Sequence, residues 1–419
     1  MDADFKVSMS DMVIALSKAI DLVSPKLTGH HQRVAYIAGR ISETMKLDIY
    51  KRTNIILAGY LHDVGAISLS DKNIILAFDN EDTTHAEVGY KLLNTLPELS
   101  LAANYIREHH TPYQKGQSFI EGSLLLGGQI LYLADRVDIL LDKSKEPLAQ
   151  KDNIISWFKE RTGNKFMPEV VEAFIELTHQ ESFWFDIVSS NLESQLKRLT
   201  GYIILELDLD GLTNVGRIFS QIIDFRSRFT ATHSSGVASA AVFLADKVGF
   251  SRREKGLMRV AGYLHDLGKL AVPSEILEKK GQLSIAEVAL VKTHTYHTYR
   301  ILEKVSGLEK IPEWAALHHE RLDGKGYPFH VNGNNLSLGS RIMAVADVFT
   351  ALTENRPYRA SMNKSQTTKI LRLMAANKTL DPEITAIAIF CFDELNRLCR
   401  REQLLALDKY KKFWQLEKK

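Results

Sequence analysis

The sequence predicts an all-α protein made of tandem helical domains. Apolar residues recur at three- and four-residue spacing over Val34–Ile41, Val237–Leu244 and Ile384–Leu398, which is typical of amphipathic helices. Alternating strand patterns are scarce, and the good candidate is Tyr202–Leu209. We therefore expect helices in both halves of the chain, with a short strand between them.

The composition is that of an ordinary globular protein. Hydrophobic residues make up 45% and charged residues 25% of the 419 positions, enough chain for about two or three domains. The formal net charge of +2 argues against binding to duplex nucleic acid or to an anionic membrane. Cys391 and Cys399 lie in one predicted helix and are not expected to pair. Because the N-terminus has no signal-peptide pattern and no apolar run approaches roughly 18–20 residues, we expect a soluble, cytoplasmic protein.

The chain contains an internal repeat. Leu57–Gly65 recurs almost unchanged as Val260–Gly268. One His lies 32 positions before each His-Asp pair, and another lies 24 positions before each His-His doublet. An Asp follows each doublet within a similar apolar string. So many polar positions in one order are improbable by chance, and the sequence is therefore a tandem duplication.

The repeat defines the expected domains. We assign residues 1–200 to a first domain, 201–215 to a junction and 216–419 to a second domain. The strand candidate and the Asp210–Gly211 pair that follows it lie between the two copies and mark the junction.

The repeated polar residues are of the types that bind metal ions. The second copy comprises His233, His265, Asp266, His294, His318, His319 and Asp347. The first copy comprises His30, His62, Asp63, His85, His109, His110 and Asp135. A single His of this kind is more often a surface residue or a satisfied core residue, but burying His265 and Asp266 without partners would cost several kcal/mol. Because the whole set is repeated, we predict that the second copy binds metal.

Adjacent ligands indicate more than one ion. Consecutive helical residues point about 100° apart, so His265 and Asp266 do not converge easily on a single ion. They suit two ions about 3.5–4 Å apart with the carboxylate bridging them. Imidazole and carboxylate ligands without thiolates fit iron or manganese, with zinc and nickel as alternatives. Such a pair of ions makes a hydroxide from bound water near neutral pH and holds a phosphodiester for in-line attack, while the cation of Lys269 neutralises a phosphate oxygen.

At these motifs the second half resembles the HD-GYP family, the branch of the HD phosphohydrolase superfamily that cleaves cyclic dinucleotides. The motifs are His-Asp-Leu-Gly-Lys at 265–269, His-His-Glu-Arg-Leu-Asp-Gly-Lys-Gly-Tyr-Pro at 318–328 and Asn-Arg-Pro-Tyr-Arg at 355–359, within a resemblance over roughly residues 215–400. The resemblance implies tandem HD-type domains, the second an HD-GYP domain. It also implies a metal-dependent phosphodiesterase that converts cyclic di-GMP or 3′3′-cGAMP to the linear dinucleotide and, in many members, on to mononucleotides.

The resemblance further implies residue roles. The seven residues of the second copy would be metal ligands. Asp266 and Lys269 would be catalytic, with Asp266 bridging the ions and Lys269 contacting the scissile phosphate. A loop beside the substrate would contain Asp323, Gly324, Gly326, Tyr327 and Pro328, with Arg321 as a weaker candidate for a phosphate or base contact.

Two positions depart from the family pattern. Members with three ions carry a Glu about one helical turn before the first His, but Phe229 stands there in this chain, so we expect two ions. Thr298 stands where many members have Gly, and we expect it to bear on substrate choice, with His297 beside it facing the pocket.

The first half resembles the same fold with degraded chemistry. Ala66 replaces the lysine, and no Gly-Tyr-Pro loop follows His109 and His110. We expect this degenerate HD domain to be regulatory or dimerising, and whether its retained ligands bind metal is left open, as are the homodimer and the input signal.

Two alternatives to a cyclic-dinucleotide phosphodiesterase are a broader HD phosphohydrolase acting on other nucleotides and a non-catalytic nucleotide-binding scaffold. The Gly-Tyr-Pro loop argues against the first. The intact ligand set with Lys269 argues against the second.

Overall fold

The chain folds into two compact units. The computed structural model describes residues 5–24, 27–68, 83–189, 191–200, 205–225, 232–308, 310–355 and 360–415. Residues 20–205 form the first unit, and residues 206–419 together with 1–19 form the second unit. The second unit thus includes N-terminal residues that the sequence assigns to the first domain, and it begins at Glu206, inside the expected junction.

The first unit is helical. Its helices are His30–Thr44, Ile49–Leu61, Val64–Ser68, Thr84–Leu93, Ser100–Glu108, Tyr113–Gly116, Gly122–Leu140, Lys151–Lys159, Pro168–Leu177, Glu181–Ile187 and Leu192–Leu199, with 3₁₀ turns at Pro97–Leu99 and Leu148–Gln150. Local sequence explains where several of them begin. The side chain of Asp48 accepts a hydrogen bond from the Lys51 main-chain nitrogen and caps one helix, and Pro168 occupies the first turn of another.

The second unit is also helical. Its helices are Met9–Asp21, whose last two residues fall in the first unit, Leu209–Phe225, His233–Lys247, Arg252–Leu264, Ser274–Leu277, Ile285–Leu302, Ile311–Ala316, Leu338–Thr353, Lys364–Ala376, Pro382–Phe390 and Phe392–Gln415, with 3₁₀ turns at Leu267–Ala271 and Gly333–Asn335. Capping boxes begin three of these helices, and they are made by Ser251 with Glu254, by Ser284 with Glu287 and by Asn363 with Gln366. The prediction of an all-α protein is confirmed.

The predicted strand is shorter than expected. Glu206–Leu207 pairs antiparallel with Val7–Ser8, whereas Leu209 already begins a helix and residues 201–204 lie outside the described part. Gly211 lies in the first turn of that helix, where the Asp208 carboxylate accepts a hydrogen bond from its main-chain nitrogen at 2.7 Å.

The helix predicted over Ile384–Leu398 is also interrupted. Pro382–Phe390 ends at Cys391, and a new helix begins at Phe392. Both cysteines are free thiols, as expected. Within the described ranges, none of the helices has the length and apolarity that crossing a membrane requires.

The same helix pair recurs in both units. In the first unit, a Cβ on Gly59 would lie 2.6 Å from the Cα atom of Ala35, and in the second a Cβ on Gly262 would lie 2.5 Å from that of Ala238. Only glycine permits such a close approach of two helix backbones. Each glycine lies three positions before the His of its His-Asp pair, so the close packing brings that pair near the helix that begins with the first His of the set.

Candidate metal centre

The second unit brings its seven predicted ligands together. Their ligand atoms form three overlapping groups, each within 4.8 Å: His233, His265 and Asp347; His265, Asp266 and His318; and His294, His318 and His319. The residues come from separate helices and turns, so only the folded unit assembles them. All but His319, which is partly exposed, are buried.

Main-chain hydrogen bonds fix the histidine tautomers. The Nδ1 atoms of His265, His294 and His318 lie 2.9, 2.6 and 2.7 Å from the carbonyl oxygen three residues earlier. Because a carbonyl oxygen can only accept, each Nδ1 carries a proton, and the neutral ring then presents a lone pair at Nε2. This is the tautomer in which imidazole binds metal, with the other ring nitrogen held by a carbonyl.

The lone pairs face one another. Nε2 of His294 lies 3.4 Å from Nε2 of His318, an arrangement that is repulsive unless a cation lies between or beside the two atoms. Nε2 of His265 is buried and has no hydrogen-bond partner among the described residues, although Oδ2 of Asp266 is 3.1 Å away. The donor set therefore fits metal ions.

Asp266 lies between two groups of imidazoles. Its Oδ2 atom lies 3.1 Å from Nε2 of His265, whereas its Oδ1 atom lies 3.5 Å from Nε2 of His294. Lys269 places its Nζ atom 2.5 Å from Oδ2. Burial raises the pKa of Asp266, but the neighbouring His265 and Lys269 outweigh burial and hold the pKa well below its usual range. The carboxylate is therefore ionised, with one oxygen facing each group.

Burial also keeps imidazoles neutral. It lowers the pKa of His294 to about 3 and holds the pKa of His318 well below its usual range. The pKa of His319 is lowered for the same reason. These rings are ready to bind metal near neutral pH without first losing a proton.

Sequence reasoning missed the carboxylate that orients His233. Nε2 of His233 lies 3.1 Å from Oδ1 of Asp347, and Nδ1 lies 3.1 Å from Oε2 of Glu354. Glu354 also accepts a hydrogen bond from the hydroxyl of Thr232 at 2.6 Å. The spacing in the sequence could have indicated this carboxylate, because Glu354 lies seven positions after Asp347, two helical turns along the same face.

The Gly-Tyr-Pro loop packs against the doublet. The ring of Tyr327 lies 4.9 Å from that of His319 at an interplanar angle of 34°, and the Tyr327 nitrogen donates to the His319 carbonyl at 3.2 Å. The peptide bond that follows Tyr327 is cis. Gly326 fits only without a side chain, since a Cβ would lie 2.4 Å from the Cα atom of Glu320. The buried carboxylate of Glu320, which sequence reasoning did not select, accepts the main-chain N–H of Phe329 at 2.7 Å and so fixes the loop.

Arg321 and Asp323, which were predicted to lie beside the substrate, form hydrogen bonds within the loop itself. Arg321 donates to the carboxylate of Asp323 at 2.6 Å, and the other oxygen of Asp323 accepts from the Lys325 main chain at 3.0 Å. Gly324 adopts a left-handed conformation, with φ of 69°. The substrate contacts assigned to these residues stay predictions.

Thr298 is fully buried, and its hydroxyl is engaged with the main chain. It accepts a hydrogen bond from the Gly268 nitrogen at 2.9 Å and donates to the His265 carbonyl at 3.2 Å. The hydroxyl thus holds the turn that carries Lys269. Phe229 and residues 356–359 lie outside the described residues.

The first unit repeats much of this geometry. His30, His62 and Asp63 form one group of ligand atoms, and His85, His109 and His110 form another. Oδ1 of Asp135 lies 3.5 Å from Nε2 of His30. The position that corresponds to Lys269 holds Ala66, which is buried.

Comparison with known proteins places both halves in one family. A family model described as HD domain matches residues 27–140, and a second HD-domain model matches residues 217–384. The chain is 29% identical over 402 residues to the 3′3′-cGAMP-specific phosphodiesterase 1 of Vibrio cholerae, covering 93% of each chain. It is 37% identical over 229 residues to phosphodiesterase 3 of the same organism, covering 54% of this chain and 49% of the relative.

A further relative and a solved structure are also similar to the chain. A cyclic di-GMP phosphodiesterase of Pseudomonas aeruginosa is 37% identical over 181 residues, covering 41% of this chain and 42% of the relative. The crystal structure of a cyclic GMP-AMP specific phosphodiesterase of V. cholerae superposes with a TM-score of 0.64 at 23% identity, over 96% of this chain and 98% of that one, which shows a shared fold. The chain therefore belongs to the HD-domain family and carries two HD domains in one polypeptide.

Proposed function

We propose that the second unit hydrolyses a phosphodiester bond of a cyclic dinucleotide and releases the linear dinucleotide. The observation that carries the proposal is the position of Asp266, whose two oxygens face two different imidazole groups while Lys269 lies at the edge of the cluster. Catalysis is assigned to residues 216–419 and regulation to the degenerate first domain.

The ligand set supports two divalent ions, with iron or manganese preferred and zinc or nickel as alternatives. Five imidazoles and two carboxylates would hold them, and Asp266 would bridge them. When bound, such ions lower the pKa of water and withdraw charge from the phosphodiester. Glu354 holds the ring of His233 in place through Nδ1, as carboxylates commonly do for metal-binding histidines.

The chain's own residues would position the substrate. Lys269 is partly exposed, so its ammonium group can exchange its contact with Asp266 for a non-bridging phosphate oxygen. Tyr327 contacts the ring of His319 at a tilted angle, and its main-chain hydrogen bond to the His319 carbonyl holds the loop beside the cluster. The Lys292 ammonium lies 5.2 Å from the centre of the Tyr327 ring and adds positive charge near that rim.

The relatives suggest the substrate. The relative matched over 93% of both chains is named for 3′3′-cGAMP, and a relative matched over 41% of this chain is named for cyclic di-GMP. We infer that the enzyme acts on one or both of these rings, with 3′3′-cGAMP preferred.

A parallel assay tests the proposal. Purified full-length protein, loaded with Mn²⁺ or anaerobically with Fe²⁺, is incubated with each ring separately, and products are separated by chromatography. We expect the linear dinucleotide to accumulate, faster from 3′3′-cGAMP. Failure to open either ring with metal demonstrably bound would contradict the function and favour the scaffold alternative. Hydrolysis of nucleoside phosphates but of neither ring would favour the broader phosphohydrolase.

A further inference from the structure

One buried histidine in the first unit lies beside the repeated set but does not belong to it. His31 follows His30 in the first turn of its helix and is fully buried. Its Nδ1 atom lies 2.5 Å from the carboxylate of Asp21. Its Nε2 atom is buried, has no hydrogen-bond partner among the described residues, and lies 3.9 Å from Oδ2 of Asp63. The ring centre of His31 is 5.2 Å from that of His62, so the unused nitrogen lies beside the cluster.

We propose that the first unit binds divalent metal ions of its own and that His31 is an additional ligand that the second unit lacks. The proposal concerns metal binding alone and does not depend on the hydrolysis proposed for the second unit.

The hydrogen bonds of the rings carry the first part of the argument. Because an ionised carboxylate only accepts, Asp21 holds the proton on Nδ1 of His31, and Asp138 does the same for His30 at 2.7 Å. Nδ1 of His62 donates to the Gly59 carbonyl at 3.0 Å. In their neutral forms all three rings present a lone pair at Nε2, and the Nε2 atoms of His30 and His62 are only 3.3 Å apart. A metal ion bound between or beside these nitrogens would relieve the repulsion between facing lone pairs.

The second group of ligands repeats the pattern. Nε2 of His85 lies 3.4 Å from Nε2 of His109, whose Nδ1 lies 2.5 Å from the Ile106 carbonyl. Oδ1 of Asp63 lies 3.6 Å from Nε2 of His85, whereas Oδ2 faces His62 at 3.3 Å. The Asp63 carboxylate thus lies between two imidazole groups, as Asp266 does in the second unit.

The position in the second unit that corresponds to His31 has no imidazole. Asp21 and Asp224 each lie nine positions before the first His of their set, and His31 and Ser234 each directly follow that His. Ser234 donates its hydroxyl to Asp224 at 3.0 Å. The first unit thus has an imidazole where the second unit has a hydroxyl on the same acidic partner, and this imidazole places its Nε2 atom 3.9 Å from Oδ2 of Asp63. The first unit then offers six imidazoles, a set that suits iron, zinc or nickel.

The surroundings of this site favour a structural role for the metal. Arg136 donates to Oδ2 of Asp135 at 2.6 Å, so one oxygen of that carboxylate is engaged, and Ala66 provides no cation for a phosphate. Ions held here would stabilise the first unit by binding only its folded state.

Metal analysis of the full-length chain tests the proposal. The probe is Mn²⁺ alone, with bound metal measured by mass spectrometry after gel filtration of tag-free protein. In Asp266→Ala, the second unit is impaired and the remaining metal reports mainly on the first. We expect the further change Asp63→Ala to remove most of that remaining metal. Equal metal content in the single and double variants would overturn the proposal.

His31 is tested on the same Asp266→Ala background. Replacing His31 by Ser, the residue in the corresponding place of the second unit, should raise the Kd of the first unit for Mn²⁺ by at least about tenfold. The matched control is His179→Ser, because His179 is an exposed histidine of the same unit, and its Kd should not change. If His31→Ser disturbs folding by circular dichroism, His31→Gln provides the same measurement with a buried polar side chain of closer size. An unchanged Kd in a folded His31 variant would refute its role as a ligand.

Discussion

Replacing Thr298 by Val tests how the lysine of the proposed active site is positioned. The Thr298 hydroxyl joins the Gly268 nitrogen to the His265 carbonyl, at 2.9 and 3.2 Å, and so closes the turn Leu267–Ala271 that carries Lys269. Valine has nearly the same shape but can make neither hydrogen bond. We therefore expect the change to act on the turn rather than on the packing around it.

The magnitude follows from the buried N–H. Leaving the Gly268 nitrogen without a partner should cost about 1–3 kcal/mol. For a unit of this size, each kcal/mol corresponds to a change in Tm of roughly 2–4 °C. A displacement of the Lys269 ammonium by about 1 Å should lower kcat by up to about 10²-fold, with the metal content unchanged.

Thr298→Ser is the matched control. It keeps the hydroxyl and removes one methyl group, at a cost of about 1 kcal/mol. Calorimetry and steady-state kinetics of the metal-loaded proteins should show a serine variant near wild type in kcat and a valine variant lowered in both Tm and kcat. Equal values of kcat in the two variants would refute the reasoning.

Three further predictions concern single residues. Gly326→Ala should destabilise the second unit by about 1–3 kcal/mol and raise KM, since a Cβ would lie 2.4 Å from neighbouring main chain; an unchanged Tm by calorimetry would contradict this. Glu354→Gln should weaken Mn²⁺ binding about 10–100-fold by freeing the ring of His233, and titration calorimetry that shows wild-type affinity would exclude this role. Lys269→Ala should lower kcat by about 10²–10³-fold without loss of metal, whereas the exposed Lys304→Ala should have no effect; loss of metal by elemental analysis would argue against a phosphate role.

The duplication made the fold class and the recurring histidines and aspartates predictable. Each residue of the His265–Asp266 pair has a counterpart in His62–Asp63, and the structure gathers both sets into clusters of ligand atoms. Recurrence was informative because incidental polar residues would not stay aligned in two copies.

The same reasoning missed residues that do not recur at equal spacing. Nδ1 of the first His is held by Asp138 in one unit and by Glu354 in the other, three and seven positions after the last Asp of each set. Residues three or seven positions apart lie on the same face of a helix. Asp138 and Glu354 therefore each place a carboxylate beside Nδ1 of the first His, although their spacings differ. His31 was missed for a related reason, because Ser234 stands in its place.

Helix packing decided the role of Thr298, which no local pattern reveals. Its departure from the family pattern led us to expect a bearing on substrate choice, and the structure shows that the turn that follows His265 passes so close that a Cβ on Gly268 would lie 2.0 Å from the His294 carbonyl. The threonine hydroxyl therefore bonds main-chain atoms of that turn, and its bearing on substrate choice stays a prediction.

Hydrolysis of 3′3′-cGAMP by matched aspartate variants tests the central claim most directly. Asp266→Ala removes the carboxylate that faces both imidazole groups, and Asp393→Ala removes an exposed carboxylate of the same unit. With Mn²⁺ supplied, we predict that Asp266→Ala falls to the rate of the uncatalysed control and that Asp393→Ala keeps the wild-type rate. Undiminished ring opening by a folded Asp266→Ala protein would contradict the proposed centre.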